Sequence, residues 1–181
     1  MEELVMNNQL NLEEKTCLIT GANSGLGFAV SKRFAKLGAN TILLCRSKEK
    51  GENAVLKIKK ETPSASVELM ICDLSSMKSI QSFIKDFQTE YSKLDILYNN
   101  AAVMKQKRTV TEDGFEMMFQ VNYLSSFILM NSFHGLIENS SSPYVINNGI
   151  LSESQRLTGR SFTRPNSLKN KVVSGSVTTV N

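Results

Sequence analysis

The sequence predicts an α/β protein: a doubly wound parallel sheet of about five strands, followed by a poorly ordered C-terminal tail. Three observations carry that prediction. Short apolar runs alternate five times with stretches of helical periodicity, a glycine-rich turn sits at the first junction between them, and the alternation stops near residue 150. Parallel strands need crossover connections, and helical crossovers cover both faces of the sheet.

Taken in order, residues 1–15 are a polar lead-in and Thr16–Thr20 the first strand. Gly21, Gly25 and Gly27 follow in the pattern Thr-Gly-x-x-x-Gly-x-Gly, one residue longer between the first two glycines than the common dinucleotide fingerprint. Glycines here let the backbone turn tightly and let a pyrophosphate approach the helix N-terminus, where unpaired N–H groups and the helix dipole favour an anion. The bland alternative is a purely structural glycine turn. Beyond Gly25, the side chains of Leu26, Ala29, Val30, Phe34 and Leu37 recur at helical spacing, and Gly38 supplies the stop. Thr41–Cys45 is an unbroken apolar run, as expected of a strand covered on both faces, and Arg46 stands at its end.

Residues 48–61 read as a Lys-rich helix with Ala54, Val55 and Ile58 inward, and Val67–Ile71 as the third strand. Ser75 or Ser76 can cap a helix whose apolar face is Met77, Ile80, Phe83, Ile84, Phe87 and Tyr91. Leu94–Tyr98 is the fourth strand and leads into Asn99-Asn100-Ala101-Ala102. A basic loop, Lys105–Arg108, precedes Thr111-Glu112-Asp113-Gly114, whose carboxylates suit a helix start. The helix expected over about 113–137 is apolar nearly all round, so burial on more than one side is expected. Tyr144–Ile146 is the fifth strand, and it ends at Asn147-Asn148-Gly149.

With 181 residues, 41% of them hydrophobic, the chain can bury a substantial core as one domain over residues 1–150, with 151–181 as a basic, Ser/Thr-rich tail. The tail holds five basic side chains against Glu153, which is the whole excess of +4. Its single aromatic, Phe162, and its lack of an amphipathic stripe speak against a specific nucleic-acid role. No apolar run approaches the roughly 18 residues of a membrane span, and no signal-peptide pattern opens the chain, so an intracellular, cytoplasmic protein is expected. Cys17, Cys45 and Cys72 lack metal-site or Cys-x-x-Cys spacing and read as reduced core residues; no metal site is expected.

Thr20–Gly27, Asp73-Leu74, Asn99–Ala102 and Val121-Asn122 together resemble the short-chain dehydrogenase/reductase family, and Thr-Glu-Asp-Gly-Phe-Glu at 111–116 looks like its retinol-dehydrogenase-like branch. The resemblance implies a Rossmann-like domain in which Thr20, Gly21, Asn23, Ser24, Gly25, Leu26 and Gly27 surround the pyrophosphate and adenine ribose. Asp73 and Leu74 would meet the adenine, while Asn99 and Ala101 would pack beside the cofactor. Asp73 also reads as an ordinary helix N-cap, and Asn99-Asn100 as a satisfied turn. Arg46 bears on cofactor type: a carboxylate there would accept from a ribose 2′-OH, whereas Arg offers a fork for a 2′-phosphate. NADP(H) is therefore expected over NAD(H), with Ser47, Lys48 and Lys50 as further donors; a solvated basic face explains the lysines as well.

The family pattern also fails in part. Of the groups that move the proton in this family, only the relay Asn can be placed, as catalytic Asn122. Tyr91, Tyr98, Tyr123 and Tyr144 are the only tyrosines and none has a Lys four residues later. Val145-Ile146-Asn147-Asn148 continues into Gly149-Ile150 where a serine pair is expected. The chain therefore looks like a family member truncated after the fifth strand. An open sheet edge and uncovered apolar surface around Phe127, Met130 and Phe133 are expected, and both favour self-association. The leading expectation is an NADP(H)-binding, catalytically silent relative of enzymes that oxidise or reduce lipid-like alcohols and carbonyls, such as retinoids or steroids. The alternatives are an interaction protein pairing with a full-length relative and an active oxidoreductase with an unusual proton donor.

Overall fold

The computed structural model describes residues 11–63, 65–148 and 172–173. The chain runs β1 (Thr16–Thr20), α1 (Gly25–Lys36), β2 (Asn40–Cys45), α2 (Lys48–Glu61), β3 (Val67–Ile71), α3 (Met77–Glu90) and β4 (Ile96–Asn99). After β4 come α4 (Met117–Phe119), a π-helical segment (Gln120–Leu124), α5 (Ser125–Ser132), α6 (His134–Glu138), β5 (Tyr144–Asn147) and β6 (Val172–Val173). All strand pairings are parallel, and the sheet order is β3-β2-β1-β4-β5-β6.

Strand side chains alternate between two cores, which is why the strands read as unbroken apolar runs. Leu18, Ile42, Leu44, Leu97 and Val145 face α3 and α5, where Ile80, Phe83, Phe87, Leu129 and Phe133 meet them. Cys17, Ile19, Leu43, Cys45, Ile96 and Tyr98 face α1 and α2, meeting Ala35, Ala54 and Ile58. The sequence thus winds outward from β1 through β2 to β3, then returns past β1 to β4 and winds the other way. At that reversal, the carboxyl ends of β1 and β4 diverge and leave a crevice.

Three expectations change. The single helix expected over 113–137 is broken into α4, a π segment, α5 and α6, and it begins at Met117. Residues 109–117 instead fold back on themselves: Val110 bridges Glu116, Met117 N donates to Thr109 O, and Gly114 at φ +84° permits the reversal. The Asp113 carboxylate does not open its own helix. Its Oδ2 accepts from Met77 N at 2.8 Å and Gln120 Nε2 at 2.6 Å, capping α3 from 36 residues away. Ser76 occupies the N-cap position of α3 but makes no side-chain capping bond. The cap of α4 is Glu116, whose Oε2 accepts from Phe119 N at 2.8 Å.

The second change concerns the surface. Phe133 is fully buried, its ring 4.8 Å from Phe87 and edge-on to Phe83 at 5.9 Å. Met130 is half-buried, and the exposed aromatics among the described residues are Phe115, Phe119, Tyr123 and Phe127, with Tyr144 on β5. The third concerns the sheet edge: β6 pairs with β5 at Val145 and Ile146, so the sheet does not end at the fifth strand. The expected disorder of the tail lies, apart from these two residues, outside the described residues.

Candidate functional site

A cleft of about 300 Å³ opens at the carboxyl ends of β1, β2 and β4. Its wall is Gly21, Asn23, Ser24, Leu44, Arg46, Cys72, Asp73, Leu74, Asn100, Ala101, Ala102, Val103, Met117 and Val121. Backbone geometry shapes one side of it. Gly21 takes φ +65°, its N–H donates to Leu44 O at 2.9 Å, and a Cβ there would stand 3.0 Å from Ala101 Cα. A Cβ on Gly27 would stand 2.5 Å from both Asn100 Nδ2 and Gly21 O. Only glycine lets the turn, the first residues of α1 and the loop after β4 close together this tightly. Helix α1 opens at Ser24, which makes no side-chain capping bond, so the first N–H groups of the helix remain for an external acceptor.

The sequence-derived site residues divide into two sets. Gly21, Asn23, Ser24, Arg46, Asp73, Leu74 and Ala101 lie together on the cleft wall, with Gly25, Leu26 and Gly27 forming the start of α1 beside them. Thr20, Asn99 and Asn122 stand behind the wall and hold it. Thr20 is buried, and its Oγ1 accepts from Asn100 N and Ala101 N, both at 2.9 Å. Asn99, 4% exposed, donates from Nδ2 to Asn147 Oδ1 at 2.8 Å, and its Oδ1 has no partner among the described residues. Asn122 spends both ends of its amide on one residue: Oδ1 accepts from Val103 N at 2.8 Å and Nδ2 donates to Val103 O at 2.9 Å.

Only three side chains on this wall can carry or change charge. The exposed Arg46 guanidinium makes no ion pair among the described residues. Of its expected helpers, Ser47 Oγ accepts from Lys50 N at the start of α2 and keeps its own O–H to donate, while exposed Lys48 lies 3.9 Å from Glu52. Asp73 is not the cap of α3. Its Oδ1 accepts from Ser75 N at 2.9 Å and Ser75 Oγ at 2.6 Å, and its own N–H donates to Ser79 Oγ. Burial pushes the Cys72 thiol up to about 11, so it stays protonated at neutral pH. Among the described residues, no Tyr or Lys lies on the wall. Tyr91 donates to Glu68 at the far end of α3, and burial followed by that carboxylate pushes its phenol well up.

Cys72, Val103 and Met117 are wall residues that no motif announces, and Val121 belongs to a motif but is not expected on the wall. They come from four separate places in the chain, and Met117 and Val121, four apart, carry the same spacing as any buried helix face.

The family model described as short chain dehydrogenase matches residues 15–156, and the chain belongs to that family. It is 44% identical over 133 residues to mouse (Mus musculus) retinol dehydrogenase 13, a match covering 74% of this chain and 40% of that protein. With the chicken (Gallus gallus) WW domain-containing oxidoreductase it shares 42% identity over 148 residues, 82% of this chain and 35% of that protein. The chain therefore spans less than half the length of these curated relatives. A metagenomic short-chain oxidoreductase in complex with NADP superposes with a TM-score of 0.68 at 25% identity, covering 78% of this chain and 64% of that one. Among the described residues, no helix is long and apolar enough to cross a membrane, and no His/Cys/Asp/Glu group could hold a metal ion.

Proposed function

We propose that this chain binds NADP(H) in the cleft and does not turn it over. The observation that carries the proposal is the composition of the wall: a glycine cradle with Arg46 beside it and, among the described residues, neither a Tyr nor a Lys. The glycine turn and the opening of α1 receive the pyrophosphate, since a Cβ at Gly27 would close the cradle that the backbone leaves open. Arg46 at the end of β2 receives the 2′-phosphate, and Asp73 with Leu74 borders the adenine. Thr20, Asn99 and Asn122 hold the loops in place, a role their hydrogen bonds describe directly. When bound, the cofactor supplies a hydride. This chain's share of the family chemistry would be the matching proton, and Asn122 has both amide ends occupied while Cys72 stays a thiol.

The names of the relatives favour lipid-like alcohols and carbonyls as the substrate class of the family branch. The domain reading follows the same line, with residues 1–150 as the dinucleotide-binding unit and 151–181 as an appended segment. Titration calorimetry with NADPH and NADH, paired with a retinal-reduction assay, tests both halves. Binding with preference for NADPH and no turnover is expected. Steady turnover by pure protein would overturn the silent half, and failure to bind either cofactor would overturn the first.

A second reading, association with another copy or with a full-length relative, has its own observation. Phe119, Tyr123 and Phe127 are 47–61% exposed at helical spacing, Phe115 in the preceding turn is 40% exposed, and no charged residue lies between Met117 and Phe133.

A further inference from the structure

The family pattern expects a serine pair after the Val-Ile-Asn of the fifth strand; here Asn147 ends β5, and Asn148 follows and continues into Gly149. Both asparagines are tied to the end of β4. Asn147 lies opposite Asn99 in the parallel register and accepts from its Nδ2. Asn148 donates twice, from its N–H to Asn99 O at 2.8 Å and from Nδ2 to Asn100 Oδ1 at 3.2 Å. Asn100 extends the line. Its Nδ2 donates to Thr20 O at 3.0 Å and approaches Gly21 O at 3.5 Å, beside the spot that a Cβ on Gly27 would occupy. A continuous run of amide contacts thus joins the end of β5 to the glycine turn.

We propose that Asn148 is a positioning residue for dinucleotide binding: by donating to Asn100 Oδ1 it reinforces the direction that Thr20 O and Gly21 O set for the Asn100 amide, and so helps hold the glycine turn in its phosphate-accepting shape. The inference rests on the NADP(H) reading above. A primary amide has a donor end and an acceptor end of nearly equal size, so only its partners decide its direction. Thr20 O and Gly21 O can only accept, which calls for Nδ2 toward the turn. Oδ1 is thereby turned toward β5, where the Asn148 amide answers it with its donor end, Nδ2. The two requirements agree, and the amide is pinned.

A carboxylate at position 148 reverses one requirement. Having only acceptors, it draws the Asn100 Nδ2 toward β5 and turns Oδ1 against the carbonyl oxygens of Thr20 and Gly21. The turn has little slack for this, because the Asn100 amide is packed so close to Gly27 that a Cβ there would stand 2.5 Å from its Nδ2. An apolar side chain at 148 only withdraws a donor and leaves the amide direction to Thr20 and Gly21. The Asp substitution should therefore do more harm than the Leu substitution, although Leu removes just as much of the hydrogen bond.

The full chain carrying Asn148→Asp or Asn148→Leu would be compared with wild type by NADPH titration. The amide resonances of Gly21, Gly25 and Gly27 would be recorded without cofactor. We expect about tenfold weaker NADPH binding for Asn148→Asp and about threefold or less for Asn148→Leu, the range a single hydrogen bond commands. The Gly21 and Gly27 resonances should move in the Asp variant before any cofactor is added. Unchanged affinity and unmoved glycines in both variants would overturn the proposal, and so would equal losses from Asp and Leu, which would assign the effect to packing. If wild type binds no NADPH yet the glycines move in the Asp variant, the cofactor reading falls and the anchoring of the turn is upheld. A measurement on wild type needs no variant to fold: the Asn100 side-chain amide protons should lie near Gly27 Hα, and finding them directed at Asn148 would overturn the proposal.

Discussion

Arg46 concentrates the cofactor choice in one side chain because, among the described residues, nothing else on the cleft wall carries a positive charge. Its fork can meet a 2′-phosphate with two charge-assisted hydrogen bonds, each stronger than a neutral one. Arg46→Asp should weaken NADPH binding by about 2 kcal/mol, roughly thirtyfold, while leaving NADH unchanged or improved. Titration with both cofactors measures this, and a variant that keeps the wild-type preference would remove Arg46 from the site. Much of the cleft was legible at this scale because its residues come in contiguous blocks, Gly21–Ser24, Asp73-Leu74 and Asn100–Ala102, whose chemistry is local. What the blocks could not convey is which side of the wall each residue takes. Thr20 and Asn122 share motifs with wall residues, yet their polar atoms are spent on Asn100, Ala101 and Val103. Val103 reaches the cleft only through the path of the loop after β4, and Met117 and Val121 through the placement of the helical segment that follows it, which no spacing records.

At the scale of elements, two carboxylates bind distant segments together, and both were read from the sequence as something simpler or not at all. Asp113 looked like the start of its own helix, since an acidic pair before an apolar run gives that signal; the fold sends it to α3 and to the buried Gln120 instead. Asp113→Ala should cost about 2 kcal/mol, for a lost cap and an unsatisfied buried amide, against a near-zero effect for the exposed neighbour Glu112→Ala. Chemical denaturation of the two variants checks this, and equal stabilities would refute it. Asp95, 1% exposed, lies just ahead of β4 and ties the starts of three strands. Its Oδ2 accepts from Thr16 N at 2.9 Å and its Oδ1 from Ser140 Oγ at 2.6 Å and Lys15 Nζ at 3.3 Å. Its backbone adds a bond to Thr16 O and one from Tyr144 N. Burial alone would raise its carboxyl, but Ser140, Thr16 and Lys15 together outweigh that and hold it below the usual carboxylate range. A depressed folded value means the stabilisation is complete above the unfolded value of about 4 and is lost as pH falls through the lower folded one. The stability gap between wild type and Asp95→Asn should stay level from pH 7 to about 5 and shrink below about 4. A gap that grows on acidification would contradict the sign of the shift.

For the whole molecule, the order of strands and helices was open to sequence reasoning because two cores demand apolar strands and one-faced helices, and β1, α2 and β3 fall where their patterns place them. The long apolar helix misled for the same reason. A stretch hydrophobic all round predicts burial but cannot say on which faces, and here the face with Leu129 and Phe133 is buried while the face with Phe119, Tyr123 and Phe127 is open. The rings on that open face follow one another at helical contact distance, Phe115 to Phe119 at 6.3 Å and Phe119 to Tyr123 at 5.6 Å. Contiguous apolar patches beyond roughly a few hundred Å² mark contact surfaces, and an uncharged one offers no repulsion to its own copy. The sheet edge competes for the same role less strongly, since β6 pairs with β5 at Val145 and Ile146. Concentration-dependent association is therefore expected to run through the aromatic face. The double variant Phe119→Ser, Tyr123→Ser should sediment as a monomer at concentrations where wild type associates, and should bind less hydrophobic dye. Both sites are solvent-exposed, so the melting temperature should change little. Wild-type association that persists undiminished in the double variant would move the contact to the sheet edge, and a wild type that stays monomeric across the same concentrations would remove the self-association reading.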